Sequence, residues 1–128
     1  MEYGVLQHIY NKIVALRISK CDVYLEKPTF MGKEEKRNAS YISFDMPNGI
    51  EDMGAFGRAG CGLIIGTKDK VIGLPNMPEI NRIAAAVKSL FPLNDEVCSA
   101  FDFEFTSDSY DNVGAHEFYY TFQIYINK

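Results

Sequence analysis

The chain has 128 residues, a length suited to one domain and short for a typical two-domain enzyme. Its 47% hydrophobic and 23% charged fractions are those of a globular protein and exclude extensive disorder. Seventeen acids against thirteen bases give a formal charge of −4, which excludes the electrostatic footprint of a general nucleic-acid binder.

The first predicted element is a helix over about residues 3 to 18, where Leu6, Ile9, Ile13 and Leu16 recur every three or four positions. Asn11, Lys12 and Arg17 fall on its other side, and His8 lies off the apolar stripe beside Gln7. Residues 21–26 alternate as a strand that ends at Lys27–Pro28, where the missing amide interrupts a ladder. The mixed-charge run Lys33–Glu34–Glu35–Lys36–Arg37 reads as a solvated loop. A second strand, residues 41–46, stops at the turn sequence Pro47–Asn48–Gly49.

Residues 48–58 carry three glycines and apolar side chains without a clean period, and form one candidate contact loop. A third strand follows over about residues 59–67 and is closed by Lys68–Asp69–Lys70, after which Val71–Ile72 either extends the sheet or packs locally. The second helix is predicted from Asn76 to Phe91. Asn76 can cap it, Pro78 suits its first turn, Glu79 completes a capping-box pattern and Pro92 stops it. Its expected buried stripe is Ile80, Ile83, Ala84, Val87, Leu90 and Phe91.

Two period-2 runs, residues 101–105 and 118–126, predict a closing β-hairpin. One face would carry Phe101, Phe103, Phe105, Phe118, Tyr120, Phe122, Ile124 and Ile126, and would need a helix beneath it. The polar segment 107–115 between the runs reads as a surface loop, either a second contact loop or a mobile tip. The order α-β-β-β-α-β-β predicts a single α+β domain over residues 1–128, a largely antiparallel sheet packed against two helices.

The chemical motifs are weak. Gly60–Cys61–Gly62–Leu63–Ile64–Ile65–Gly66 spells GxGxxxG, but its glycines precede or interrupt a strand rather than open a helix, so bulges or close backbone approach explain them better than a nucleotide. His116, near Asp108, Asp111 and Glu117, could make a carboxylate–histidine pair or a partial metal site. Ser99, Ser107, Ser109 and Cys98 have no evident activating base. Asp102 and Glu104 share a strand face that alternation makes the exposed one. Cys21, Cys61 and Cys98 fit no disulfide framework or zinc knuckle, and Cys21 and Cys61 read as small buried hydrophobes. No catalytic, cofactor-binding or metal residue is assigned, and the chain reads as a non-enzyme that needs no cofactor. No apolar run approaches the roughly 20 residues of a membrane span, and Met1–Glu2–Tyr3–Gly4 lacks the basic flank and small-residue cleavage site of a signal peptide, so a protein made and used in a reducing cytoplasm is expected.

The amphipathic first helix, the capped helix at Asn76–Phe91 and the closing hairpin with its polar segment Ser107–Ala115 together resemble the tail terminator and tail-completion proteins of long-tailed bacteriophages, across nearly the whole chain. That resemblance is one of architecture, without a diagnostic motif. It implies a virion protein of the tail or neck, assembled in the host cytoplasm. Such a subunit forms a homo-oligomeric, hexameric ring that caps the tail tube and joins it to the head-completion or connector protein, with no sequence-specific nucleic acid and no membrane. Met53, Phe56, Arg58, Tyr110, Asp111, Tyr119 and Tyr125 are the expected oligomer or partner contacts. Other classes compete. A double-stranded RNA-binding domain shares the α-β-β-β-α order, but Asn76–Met77–Pro78–Glu79 replaces its basic helix start. A small acidic immunity-type or ligand-binding protein would use the aromatic sheet face, Tyr119 and Tyr125 included.

Overall fold

The computed structural model describes residues 2–25, 40–45, 58–111 and 114–126. In chain order the elements are α1 (Glu2–Ala15), β1 (Cys21–Tyr24), β2 (Ser40–Asp45), β3 (Arg58–Lys68), α2 (Met77–Lys88), β4 (Leu93–Asn94), β5 (Cys98–Tyr110) and β6 (Ala115–Ile126). The strands form one six-stranded sheet in the order β1-β2-β3-β6-β5-β4. The α+β architecture with two helices is the expected one, with β4 as an additional two-residue strand.

The sheet is mixed rather than largely antiparallel, because β1 runs parallel to β2 with Cys21 opposite Ser40. A same-direction return needs a connection of a dozen or more residues, and the stretch between Tyr24 and Ser40 is long enough to supply it. The remaining ladders are antiparallel.

The core lies on one face of the sheet. Val5, Leu6, Ile9 and Ile13 of α1 and Ile80, Ile83 and Val87 of α2 are buried there. They cluster with the sheet residues of the same phase, among them Ile42, Phe44, Leu63, Ile65, Phe122 and Ile124. Each such aliphatic side chain contributes about 1.5–3 kcal/mol on leaving water, so the two helical stripes hold the layers together. Both helices end three residues before their predicted limits. After α1 the chain turns through Leu16 into Arg17 at φ 52°, a left-handed conformation that no helix continues through. After α2 the amides of Leu90 and Phe91 bond back three residues, to Val87 and Lys88, and Leu90 and Phe91 pack half-buried against the core.

The start of α2 uses only half of the capping box. Asn76 Oδ1 accepts the Glu79 N–H at 3.4 Å, but the Glu79 carboxylate turns to the sheet and accepts the Ser40 hydroxyl at 2.8 Å. Arg82 grips the same carboxylate with two nitrogens, at 3.0 and 2.9 Å, and donates to the Ser19 carbonyl at 2.8 Å. Arg82 first, and then the Ser40 hydroxyl, hold the Glu79 carboxyl below its ordinary range. Between β3 and α2, Val71 bridges to Leu74 around Gly73 at φ +92°, so this stretch packs locally and Val71, Ile72 and Leu74 stay exposed.

The hairpin is longer than its hydrophobic runs. Residues 107–110, expected in a surface loop, are strand, with Ser107 opposite Tyr119 and Tyr110 opposite His116, so that only four residues, 111–114, separate the two strands. A two-sided polar strand lacks the apolar alternation by which it could be read, yet its backbone groups pair with β6 as well as any others. The second correction is to the apolar face. Cys98 and Ala100 point into the core, so Phe101 points out, and a bulge with Asp102 at φ 59° resets the phase so that Phe103 points in again. Phe101 therefore stacks on outward-facing Tyr125, whereas Phe103 stacks on Tyr120 and Phe91.

Candidate assembly surface

The face of the sheet away from the helices divides into two halves. On β2 and β3 the outward-phase residues Tyr41, Ser43 and Ile64 are buried, whereas on β5 and β6 the corresponding residues range from half-buried to exposed. Where the two halves meet, the sheet is furrowed, because Gly60 and Gly62 of β3 present no side chains. A cavity of about 780 Å³ lies there, bounded by Ser107, Tyr119, Thr121 and Gln123.

A chain of hydroxyls organises this surface. The Tyr119 hydroxyl donates to Glu117 Oε1 at 2.9 Å and lies 3.0 Å from Ser109 Oγ, while Thr106 donates to the Tyr119 carbonyl at 3.0 Å. Tyr41 donates to the second oxygen of Glu117. Its side chain lies over Gly66, where an added Cβ would overlap two ring carbons and the hydroxyl oxygen. The glycine that spelled part of a nucleotide motif thus marks a close approach between β2 and β3.

Of the predicted contact residues, Tyr125 is 38% exposed on the outer face and Tyr119 is held half-buried in the hydroxyl chain. Arg58 opens β3 opposite Tyr125. Asp111 closes the β5–β6 turn, its carboxylate accepting the Ala115 N–H at 3.0 Å. Tyr110 sits on the other face from Tyr119 and Tyr125, half-buried and stacked on His116 at 4.8 Å. Met53 and Phe56, with most of the 48–58 segment, lie outside the described residues. Tyr119 and Tyr125 thus share the outer face of β6, and Tyr110 lies on the opposite face of the same sheet.

His116 is buried and does form a carboxylate pair, but with Asp69 rather than with the acids near it in sequence: Nδ1 lies 2.7 Å from Asp69 Oδ1. The antiparallel register sets Thr67 opposite His116, which delivers Asp69 to the ring. The other Asp69 oxygen accepts the Gly73 N–H at 3.0 Å, so the pair fastens the end of β3 and the following turn to β6. Asp102 and Glu104 are both exposed, as expected, although the bulge between Phe101 and Glu104 breaks the regular alternation between them.

Sequence reasoning also missed the electrostatic contrast between the sheet's edges. Among the described residues, β5 beyond Ala100 has β6 on one side only, and its exposed acids are Asp102, Glu104 and Asp108. No Lys or Arg occurs from residue 93 to 126. At the opposite edge β1 pairs, among the described residues, only with β2; exposed Arg17 and Lys20 lead into it, and half-buried Asp22 is the one charged side chain on β1 itself. The signal was present in the sequence, but the sheet order that turns it into two opposed edges was not.

No family model and no curated protein matches the sequence. Among solved structures, the virion of a native gene transfer agent (GTA) particle contains a chain to which this one is similar, with 14% identical residues, a TM-score of 0.47, and coverage of 96% of this chain and 92% of that one. No helix among the described residues is long and apolar enough to cross a membrane.

Proposed function

We propose that this chain is a structural virion protein and, more finely, a tail terminator or tail-completion subunit. In this reading identical copies form a ring, hexameric by the resemblance, that caps the tail tube and meets the head-completion or connector protein in the neck. The observation that carries it is the opposition of the two sheet edges, acidic at β5 through Asp102, Glu104 and Asp108, basic before β1 at Arg17 and Lys20. Unlike edges on one subunit favour a heterologous, head-to-tail contact, and such contacts close into rings when the rotation permits. A subunit of this kind needs a rigid sheet and two complementary sides, not a catalytic group. The open outer face, with Tyr125 and the Tyr119 hydroxyl chain, is then available to a neighbouring ring, and Met53, Phe56 and Arg58 are further contacts in this proposal.

The test is mass in solution and negative-stain imaging of the purified chain, alone and with tail tubes from a long-tailed phage. Rings, or a hexamer, are expected in at least one condition. The double substitution Arg17→Glu/Lys20→Glu should abolish them, and Asp102→Lys/Glu104→Lys on a mixed partner should restore the contact. A chain that stays monomeric with and without tubes, and instead binds a small protein stoichiometrically, would replace this reading with the immunity-type one.

A further inference from the structure

The turn between β4 and β5 gathers three metal-binding side chains far from the outer face. Asp95 Oδ1 accepts the N–H groups of Val97 and Cys98 at 2.9 and 3.1 Å, which closes the turn and fixes Cys98 at the start of β5. The other carboxylate oxygen meets His8 Nε2, from α1, at 2.8 Å. Each residue offers one ligand atom, and the His8 nitrogen, the Asp95 oxygen and the Cys98 sulfur all lie within 4.8 Å of one another. Cys98 is fully buried, whereas the side chains of His8 and Asp95 are 25% and 26% exposed, so the cluster is closed on its sulfur side and open to water on the other.

We infer that His8, Asp95 and Cys98 form a binding site for a borderline-soft divalent cation of the Zn²⁺ type. One imidazole, one carboxylate and one thiolate suit that ion in charge and softness, and water can reach a fourth, tetrahedral position. Bond lengths of about 2.0–2.3 Å place tetrahedral ligand atoms roughly 3.2–3.8 Å apart. The observed cluster brackets that range, so small side-chain rotations complete the geometry. Ligation releases the Cys98 thiol proton to solvent and leaves the imidazole proton on Nδ1. Lys12 competes for the site: its Nζ lies 4.0 Å from the same Asp95 oxygen, and it has room to swing outward at 43% side-chain exposure. A cation here ties α1 to the β4–β5 turn, elements 87 residues apart in the chain.

The experiment titrates Co²⁺, and then Zn²⁺, into the chelator-treated full chain under a non-thiol reductant. One Co²⁺ per chain should bind, with a thiolate-to-cobalt charge-transfer band that Zn²⁺ bleaches. The band should vanish in His8→Ala and in Cys98→Ser and persist in Cys21→Ser and Cys61→Ser. Zn²⁺ at a hundredfold excess over its dissociation constant should raise the melting temperature of the unsubstituted chain by about 10 °C and leave His8→Ala unmoved. His8 is partly exposed, so that variant decides the matter even if Cys98→Ser does not fold. Absence of the band at stoichiometric Co²⁺, or its survival in His8→Ala, overturns the site.

Discussion

Replacing Gly66 by alanine separates close packing from backbone propensity, because the two predict opposite signs. In an ordinary strand, alanine in place of glycine gains about 0.5–1 kcal/mol through reduced chain entropy. Here the new methyl would occupy the space of the Tyr41 ring, which is buried and whose hydroxyl donates to Glu117. Over-packing of that kind costs about 1–3 kcal/mol, and displacing the phenol loses a hydrogen bond to a charged acceptor worth about 1.5–3 kcal/mol. The two losses overlap, so we expect a net destabilisation of about 2–4 kcal/mol. That is survivable in a chain of this size, whose total is on the order of 6–19 kcal/mol. Urea unfolding measures it directly, with a fall of roughly 10 °C in the melting temperature as a cross-check. In a Tyr41→Ala background the same glycine substitution should become neutral or stabilising. A change below about 0.5 kcal/mol in the first case, or an unchanged penalty in the second, would refute the packing argument.

Two further outcomes concern titratable groups. His8, and then the backbone amides of Cys98 and Val97, hold the Asp95 carboxyl down to about 2. A depressed carboxylate stabilises the fold above its unfolded pKa near 4 and loses that contribution as pH falls through about 2. Because the group is partly exposed, roughly 1 kcal/mol is at stake, so urea unfolding should show Asp95→Asn weaker than the unsubstituted chain by that amount at pH 6 and nearly equal to it at pH 2; a gap independent of pH would show that the carboxylate charge is not involved. The thiols should react slowly with a disulfide reagent at pH 8. Burial pushes Cys21 up to about 12 and Cys98 up to about 11, and Cys61 is buried. For Cys21 the thiolate fraction falls on the order of a thousandfold below that of a free thiol, so one thiol labelled in the folded protein as fast as in denaturant would contradict this burial.

Wherever one face of an element is apolar and the other polar, the sequence was readable. The stripe Leu6–Ile9–Ile13 and the alternation of Phe118–Ile124 have their period written in hydrophobicity, and each lies where that period puts it; the cap at Asn76 was legible through its polar side chain instead. What failed was read through the same signal where it is absent or interrupted. Ser107–Tyr110 has no apolar phase, so nothing in it announces a strand, although its ladder to β6 is intact. Phe101, Phe103 and Phe105 have a regular phase in sequence, but one residue in a left-handed conformation at Asp102 breaks it in space. Aspartate tolerates that conformation better than most residues, a hint too common to use alone. The candidate sites suffered most, because they join residues from distant elements. Asp69 reaches His116, and His8 reaches Asp95 and Cys98, only once the strand order is known.

The same bulge bears on how the β5 edge behaves in an assembly. An unpaired strand edge invites any other strand, and a flat, neutral one would lead to uncontrolled aggregation. On β5 the ladder with β6 shifts register twice, at Phe101/Glu104 and at Phe105/Ser107, and Asp102, Glu104 and Asp108 stand along it. Two such edges repel each other, so pairing of like with like is disfavoured. An edge led by Arg17 and Lys20, with Asp22 as the one acid on β1, meets less of that repulsion, and the irregular backbone lets side chains rather than a continuous ladder decide the partner. In the proposed assembly Phe105, 52% exposed in this stretch, would give the contact an apolar anchor among the acids. Charge alone would be screened within about 10 Å at 0.1 M salt. An edge that selects by charge and holds by an aromatic should therefore lose association rate with rising salt faster than it loses lifetime, whereas an edge that merely resists aggregation would show no saturable association to lose.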